Sequence, residues 1–150
     1  MTSRPHNSGV HRAWRSMAVA AAIATIGMTR SGPVTFHVAD GTQEIKAHNY
    51  YSWTFDVPNS KAGCLLSGKI TVLAGGQKDV AVLVMTSDQF TNWQNDHQAQ
   101  VFFSTGRETV IPLGVKMTGS GTYKLVVSNA FSMVTTKVIQ TQGVQLHCGL

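Results

Sequence analysis

Apolar residues that recur at every second position are the feature of this sequence that most limits its fold. The segment YYSWTFDVP places Tyr51, Trp53, Phe55 and Val57 on one side of an extended chain, and it ends at Pro58. Alternate residues of a β-strand point to the same face, so the segment predicts a half-buried strand with these four side chains in the core. The segment CLLSGKITVLA repeats the pattern. No long stretch after residue 30 has helical periodicity.

Further short apolar runs, separated by turn residues, extend this pattern to the end of the chain. DVAVLVMT is apolar on both faces, which is typical of a central strand covered on both sides. Pro112 in ETVIPLGVKM predicts an edge strand or a bulge, because proline cannot donate to a sheet ladder. QAQVFFS and GTYKLVVSN are each predicted to be a strand, and AFSMVTTKVIQTQGVQLHC is predicted to supply one or two last strands, interrupted by Gly143.

Seven to eight short strands at regular spacing predict an all-β chain folded as an antiparallel β-sandwich, Ig-like or jelly-roll-like in kind. We expect the sandwich to occupy residues 43–150. Residues 31–42 are predicted to be either a linker or a first strand, because VTFHVA also has strand character.

The segment DQFTNWQNDHQ (residues 88–98) lacks the period-two pattern and predicts one short helical crossover near 87–95. Thr86 and Gln89 have the spacing of a capping box, in which a threonine begins the helix. Phe90 and Trp93 are three residues apart and so lie on one side of that helix. We expect these two aromatic rings to seal one end of the sandwich.

The same segment also supports a binding site for a carbohydrate or another small ligand. Trp93 and Tyr50 offer aromatic faces for stacking, and alternation places Tyr50 on the solvent face of its strand. Asn92, Asn95 and His97 offer hydrogen-bonding groups beside the indole ring. These five residues are the candidate ligand-binding residues.

Catalytic and metal-binding motifs are not found. His97 lies near Asp88 and Asp96 in sequence, but no pair of histidines has the spacing of metal ligands. No G-x-S-x-G segment occurs, and the few carboxylates fall mostly in turns. We therefore predict no catalytic residue, no metal and no cofactor, and expect a protein that is not an enzyme.

The first thirty residues have the pattern of an export signal. Arg4, Arg12 and Arg15 precede the apolar run MAVAAAIATIGM (residues 17–28). That run is shorter than the roughly 20 residues of a membrane-spanning helix. Residues 1–30 are predicted to be a signal peptide, or alternatively a signal-anchor, and the mature protein is expected in the periplasm or outside the cell. Contact with a membrane is expected only through an uncleaved leader.

The positive charge does not indicate nucleic-acid binding. The chain has twelve Lys and Arg against seven Asp and Glu, and four of the arginines lie in the first thirty residues. The remaining eight basic and seven acidic residues nearly balance. Nucleic acid would require basic residues clustered in the folded part, so it is not an expected partner.

The two cysteines, Cys64 and Cys148, predict a disulfide, because paired cysteines in an exported protein are normally bridged. The bridge would close a loop of about 85 residues, for which chain entropy predicts roughly 4.5 kcal/mol of stabilisation. The alternative is two separate buried thiols.

Two segments resemble a family of small, exported bacterial β-sandwich domains. DQFTNWQNDH is similar to the pattern D-x-F-x-N-W-x-N-G-H, and GTYKLVVSNAFSMVTTKVI is similar to G-T-Y-x-L-V-x-S-N-x-F-S-x-x-x-x-K-x-V. Asp96 stands where the first pattern has glycine, and aspartate tolerates the left-handed conformation better than most residues. More distantly, the chain resembles the GOLD (Golgi dynamics) domain, which implies a disulfide-containing sandwich used for protein interaction. The cysteine positions differ from the GOLD pattern.

The second segment has its own physical interpretation. Gly121 is expected to begin a strand, and Tyr123 is expected to be a tyrosine corner or a core ring. Ser128, Asn129 and Ser132 are expected to be turn-forming residues, and Phe131 is expected to return to the core as the next strand begins.

Together these features predict a non-enzymatic binding or structural module of the cell envelope or extracellular space. Its partner is expected to be a protein or a glycan of unknown identity. The alternatives are a carbohydrate- or small-ligand-binding module that uses Trp93 and its neighbours, and an envelope protein held by an uncleaved leader.

Overall fold

The computed structural model describes residues 32–149, which fold into two stacked, four-stranded antiparallel sheets and one short helix. The predicted all-β antiparallel sandwich is confirmed. The elements are β1 Val34–Ile45, β2 Tyr50–Val57, β3 Cys64–Ala74, β4 Ala81–Thr86, α1 Ser87–Gln94, β5 Phe103–Ser104, β6 Val110–Met117, β7 Gly121–Ser128 and β8 Lys137–Cys148.

The strand order explains the two special strands of the sequence. The first sheet has the order β1-β8-β3-β6, and the second has the order β2-β7-β4-β5. Pro112 lies in β6, an edge strand, so the predicted edge position is confirmed. β4 lies inside the second sheet, with Val82 and Val84 in the main core and Met85 buried on the other face.

The main core lies between the inner faces of the two sheets. Leu66, Ile70 and Val72 of β3 are in this core, as the alternation of that strand predicts, and the same buried cluster includes Val82 and Val84 of β4. Phe55 and Val57 of β2 are also in this core. Tyr123 is buried, and its hydroxyl donates to the carbonyl oxygen of Gly119 at 3.1 Å, which is the expected corner geometry.

The disulfide between Cys64 and Cys148 joins β3 to β8. The two residues are direct cross-strand partners, with Cα atoms 4.1 Å apart, and both side chains are buried. Residues 31–42 are predicted to be either a linker or a first strand. From Val34 onward they are a strand, because Val34–Ile45 forms β1, which pairs with β8.

Residues 1–31 lie outside the described part of the chain, and the predicted leader lies there. Within residues 32–149, no helix has both the length and the apolar character needed to span a bilayer.

Two local predictions are wrong, those for QAQVFFS and for Phe131, and a third is settled in favour of one strand. The strand predicted for QAQVFFS is limited to Phe103–Ser104. The residues before it belong to the connection after the helix, in which the Gln100 amide donates a hydrogen bond to the Gln89 side chain. Of the one or two strands predicted for the last segment, the structure has one, Lys137–Cys148, and the predicted interruption at Gly143, at φ 54°, is the point where the pairing with β3 changes register. Phe131 does not enter the core; it lies half-buried in the loop before β8, with the Arg107 guanidinium 4.0 Å from its ring centroid.

Candidate functional site

Helix α1 begins and ends where its sequence predicts. The Thr86 hydroxyl accepts a hydrogen bond from the backbone N–H of Gln89 at 3.3 Å, which satisfies one of the free amides of the first turn. Only this half of the capping box forms, because the Gln89 side chain accepts from the Gln100 amide at 2.8 Å. The helix ends at Gln94, and Asn95 is its C-cap.

The helix covers the outer face of the second sheet. Phe90 packs against Met85 of β4 and Val126 of β7 in a second buried cluster, separate from the main core. The expectation that Phe90 and Trp93 seal the end of the sandwich is therefore wrong. The helix packs here because the outer face of β4 is apolar. The apolar side of the helix covers that face and is itself buried by it.

Three aromatic rings form a cluster where the helix meets β2. Tyr50 comes from β2, and Phe90 and Trp93 come from the helix. The centroids of Tyr50 and Trp93 are 5.1 Å apart at 75°, and those of Tyr50 and Phe90 are 5.6 Å apart at 85°. Phe90 and Trp93 are stacked at 5.9 Å and 21°. The Tyr50 hydroxyl also accepts a hydrogen bond from the side-chain amide of Gln94. These contacts hold Trp93 in one orientation.

The expected contrast between Tyr50 and Tyr51 is reversed. Alternation predicts that Tyr50 is the exposed ring, but it is half-buried, whereas Tyr51, predicted to be in the core, is 37% exposed. The helix covers the face of β2 that carries Tyr50. Tyr51 and Trp53 face inward at an edge strand, where the core is incompletely closed.

A surface depression of about 510 Å³ lies beside Trp93, and we name it the aromatic groove. Its lining residues are His48, Tyr50, Trp93, Gln94, Asp96, His97 and Ala130. The structure therefore brings together three of the five candidate ligand-binding residues, namely Tyr50, Trp93 and His97.

Asn92 and Asn95 do not line the aromatic groove. The Asn95 side chain donates to the carbonyl oxygen of Thr91 at 2.8 Å and so caps the end of the helix. The carbonyl oxygen of Asn92 accepts from the amides of Asn95 and His97, at 3.1 and 2.9 Å. These two residues shape the turn that carries His97.

Two residues of the aromatic groove have strained backbone conformations. His48 has φ 58° and Asp96 has φ 56°, and within residues 32–149 they are the non-glycine residues with positive φ. Such conformations are uncommon outside glycine and are enriched at functional sites. The resembled pattern, which has glycine at position 96, indicated the positive φ of Asp96. Nothing in the sequence indicated His48, which the β1–β2 turn brings to the groove.

The groups of the groove suit binding. An indole and a phenol form an apolar wall, and the rim carries two imidazoles, a carboxylate and an amide, which can donate or accept hydrogen bonds. Across the described chain, no three His, Cys, Asp or Glu side chains are grouped so that they could hold a metal ion.

The loop of residues 129–136, between β7 and β8, adjoins the groove at Ala130, and we name it the β7–β8 loop. Its first residue, Asn129, is fully buried, and its side-chain nitrogen lies within 3.1 Å of the carbonyl oxygens of Ile45, Lys46 and Thr135. The loop presents Met133 and Val134 to solvent, with 75% and 87% of each residue exposed.

No model of a known protein family matches this chain, and a search of curated proteins gave no match to its sequence. The fold and the site define a disulfide-bonded, all-β sandwich with an aromatic groove and a projecting apolar loop at one end.

Proposed function

We propose that the protein is a non-enzymatic binding module, exported to the cell envelope or the extracellular space, which binds a macromolecular partner through the β7–β8 loop. The observation that carries this proposal is the exposure of Met133 and Val134 on a loop held by the buried Asn129 amide. Of the large apolar side chains in the described chain, these two are the most exposed.

The loop is suited to binding because its shape is set before a partner arrives. The Ser132 hydroxyl accepts from the Thr135 amide at 3.1 Å, and the Ser132 carbonyl oxygen accepts from the amide of His48 at 3.2 Å. A preformed loop loses less conformational entropy on binding than a flexible one. Methionine adapts to irregular apolar surfaces, and the nearby Arg107 supplies a positive charge for contacts at the rim.

Crosslinking in the producing cell tests this proposal. A photo-reactive amino acid at position 134 is expected to give a discrete adduct, and the same amino acid at position 101 is the matched control. Val101 is also apolar and exposed but lies outside the loop. The adduct is expected to disappear in a Met133→Ser variant. Equal labelling from positions 134 and 101 would show that the loop has no specific partner.

The proposal of export rests on the leader pattern and on the Cys64–Cys148 disulfide, since such bonds persist in oxidising compartments. The intact mass of protein expressed with its own leader, measured in separated cell fractions, tests it. A periplasmic or secreted species that lacks the leader and is two hydrogens lighter before reduction is expected. A full-length species in the membrane fraction would instead support the anchored alternative, and a full-length, reduced species in the cytosol would contradict export.

Glycan binding in the aromatic groove is a second candidate function. The observation that favours it is the coincidence of the two strained residues, His48 and Asp96, with the ring of Trp93. Aromatic stacking beside a few polar groups is a common way to bind a sugar. Calorimetric titration against a glycan panel is expected to give heats that a Trp93→Ala variant loses and a Trp53→Phe variant keeps. Equal heats in both variants would exclude the groove.

A further inference from the structure

One side of the sandwich, between the edge strands β1 and β2, leaves core-facing apolar side chains uncovered. Val34 and Phe36 of β1 pair directly with Cys148 and Leu146, whose side chains are buried in the core. Direct cross-strand partners share a face, so Val34 and Phe36 also point inward. They nevertheless remain 45% and 42% exposed.

The facing strand β2 has the same property. Tyr51 and Trp53 pair with the core residues Val127 and Leu125, yet Tyr51 is exposed and Trp53 is only partly buried. β1 and β2 are neighbours across the two layers. The exposed apolar side chains of both strands therefore lie along one open side of the sandwich.

The backbone of β1 is also unprotected over residues 34–38. Among the strands of residues 32–149, β1 pairs only with β8, so within this part of the chain one row of its backbone N–H and C=O groups has no partner strand. The opposite edge of this sheet, β6, carries Pro112 and Lys116, which discourage pairing. β1 carries comparable protection only later, where its register shifts between His37 and Gly41 and Asp40 adds a charge.

An occupant of this edge must be an extended segment with apolar side chains on one face and polar side chains on the other. Residues 34–38 of β1 have this pattern themselves, with Val34, Phe36 and Val38 alternating with Thr35 and His37. The stretch contains no acidic residue and no lysine or arginine. A second copy of the chain therefore fits the edge without repulsion between like charges.

We propose that two copies of this protein associate through residues 34–38 of β1, paired antiparallel about a two-fold axis at Phe36. The two first sheets then form one continuous eight-stranded sheet. In this register Val34 of each copy lies opposite Val38 of the other, and the two Phe36 rings meet at the axis. Asp40 falls opposite Gly32, so the acidic residues of the two copies stay apart.

The test is the oligomeric state of the protein purified after expression with its own leader, measured by sedimentation and light scattering over a range of concentrations. The wild-type protein is expected to be a dimer. A Phe36→Lys substitution is expected to weaken the dimer about 30-fold or more, the effect of losing a central interface residue.

Val110→Lys is the matched control, because Val110 is 49% exposed and lies on β6, the other edge strand of the same sheet. This variant is expected to remain dimeric. Circular dichroism and thermal unfolding would establish that each variant folds, and Val34→Lys replaces Phe36→Lys if the latter does not.

Two results would overturn the proposal. One is a wild-type protein that stays monomeric at every concentration, which would leave the edge to an extended segment of another protein. The other is a dimer that Val110→Lys weakens as much as Phe36→Lys does.

Discussion

The side-chain nitrogen of Asn129 lies 2.8 Å from the carbonyl oxygen of Thr135 and closes the base of the β7–β8 loop. The same nitrogen lies 3.1 Å from the carbonyl oxygens of Ile45 and Lys46, in the turn after β1. One buried amide therefore joins the two connections that flank the aromatic groove. This contact gives the S-N-x-F-S part of the resembled pattern a structural role.

We predict that Asn129→Asp destabilises the protein by about 3 kcal/mol or more at neutral pH, because a buried carboxylate would face three carbonyl oxygens with no proton to donate. Burial raises the pKa of the introduced carboxyl above its unfolded value of about 3.9. The penalty is therefore smallest at acid pH and grows as the pH rises through the folded pKa.

Urea unfolding at several pH values measures the effect of Asn129→Asp. Asn59→Asp, at an exposed position, is the control and is expected to change stability by less than about 0.5 kcal/mol. Equal stability of the two variants at neutral pH would show that the Asn129 amide is not needed to hold the loop.

Lys137 and Asp79 make a largely buried ion pair, with Nζ 2.8 Å from the carboxylate and side chains 3% and 16% exposed. Lys137 also donates to the carbonyl oxygen of Gln77. We predict that Lys137→Met costs about 2–4 kcal/mol, because it leaves the carboxylate without its partner. Adding Asp79→Asn is expected to restore part of this loss.

A double-mutant cycle by chemical denaturation measures this coupling, which is expected to be about 1–3 kcal/mol. Lys78→Met removes an exposed charge next to Asp79 in sequence and is expected to be nearly neutral. If the changes in unfolding free energy caused by the two substitutions are additive, the two side chains have no coupling free energy.

The sequence predicts best those features that local physics controls. Alternation places Phe55, Val57 and Leu66 in the core, and Pro112 at a sheet edge. The spacing of Thr86 and Gln89 predicts the start of the helix, and the cysteine pair predicts the disulfide. Each of these inferences needs only a period, a cap or a pairing rule.

The sequence fails where the outcome depends on what covers a face. The apolar residues of DVAVLVMT show that β4 is covered on both sides, but they do not show that the helix is the cover. Without that knowledge Tyr50 is expected to be exposed and Tyr51 buried, which is the reverse of their arrangement. His48 reaches the groove only through the turn between β1 and β2, and no local pattern encodes that meeting.

Replacing both Cys64 and Cys148 with alanine is predicted to lower stability by up to about 4.5 kcal/mol, since the bridge closes a loop between residues 84 apart in sequence. The same two strands are also paired along the rest of their length, from Leu65 opposite His147 to Ala74 opposite Val138, so the variant is expected to fold to the same sheets. Thermal unfolding with and without a thiol reductant measures the loss. The reductant is expected to lower the Tm of the wild type and to leave that of the variant unchanged; a wild type equally insensitive would indicate that the bridge adds no stability.

Asp96→Gly tests whether the strained turn of the aromatic groove is kept for binding. Glycine adopts positive φ without the penalty of about 1–2 kcal/mol that a side chain brings, although it adds entropy to the unfolded chain. The variant is therefore expected to be as stable as the wild type or more stable by up to about 1 kcal/mol.

Asp88→Gly, in the first turn of the helix, is the control and is expected to destabilise the protein by about 1 kcal/mol. Any ligand found for the groove is expected to bind Asp96→Gly more weakly, because the carboxylate lies on the rim beside His97. Loss of stability in Asp96→Gly, comparable to that of the control, would mean that the carboxylate supports the turn itself and that the strain is not retained for a ligand.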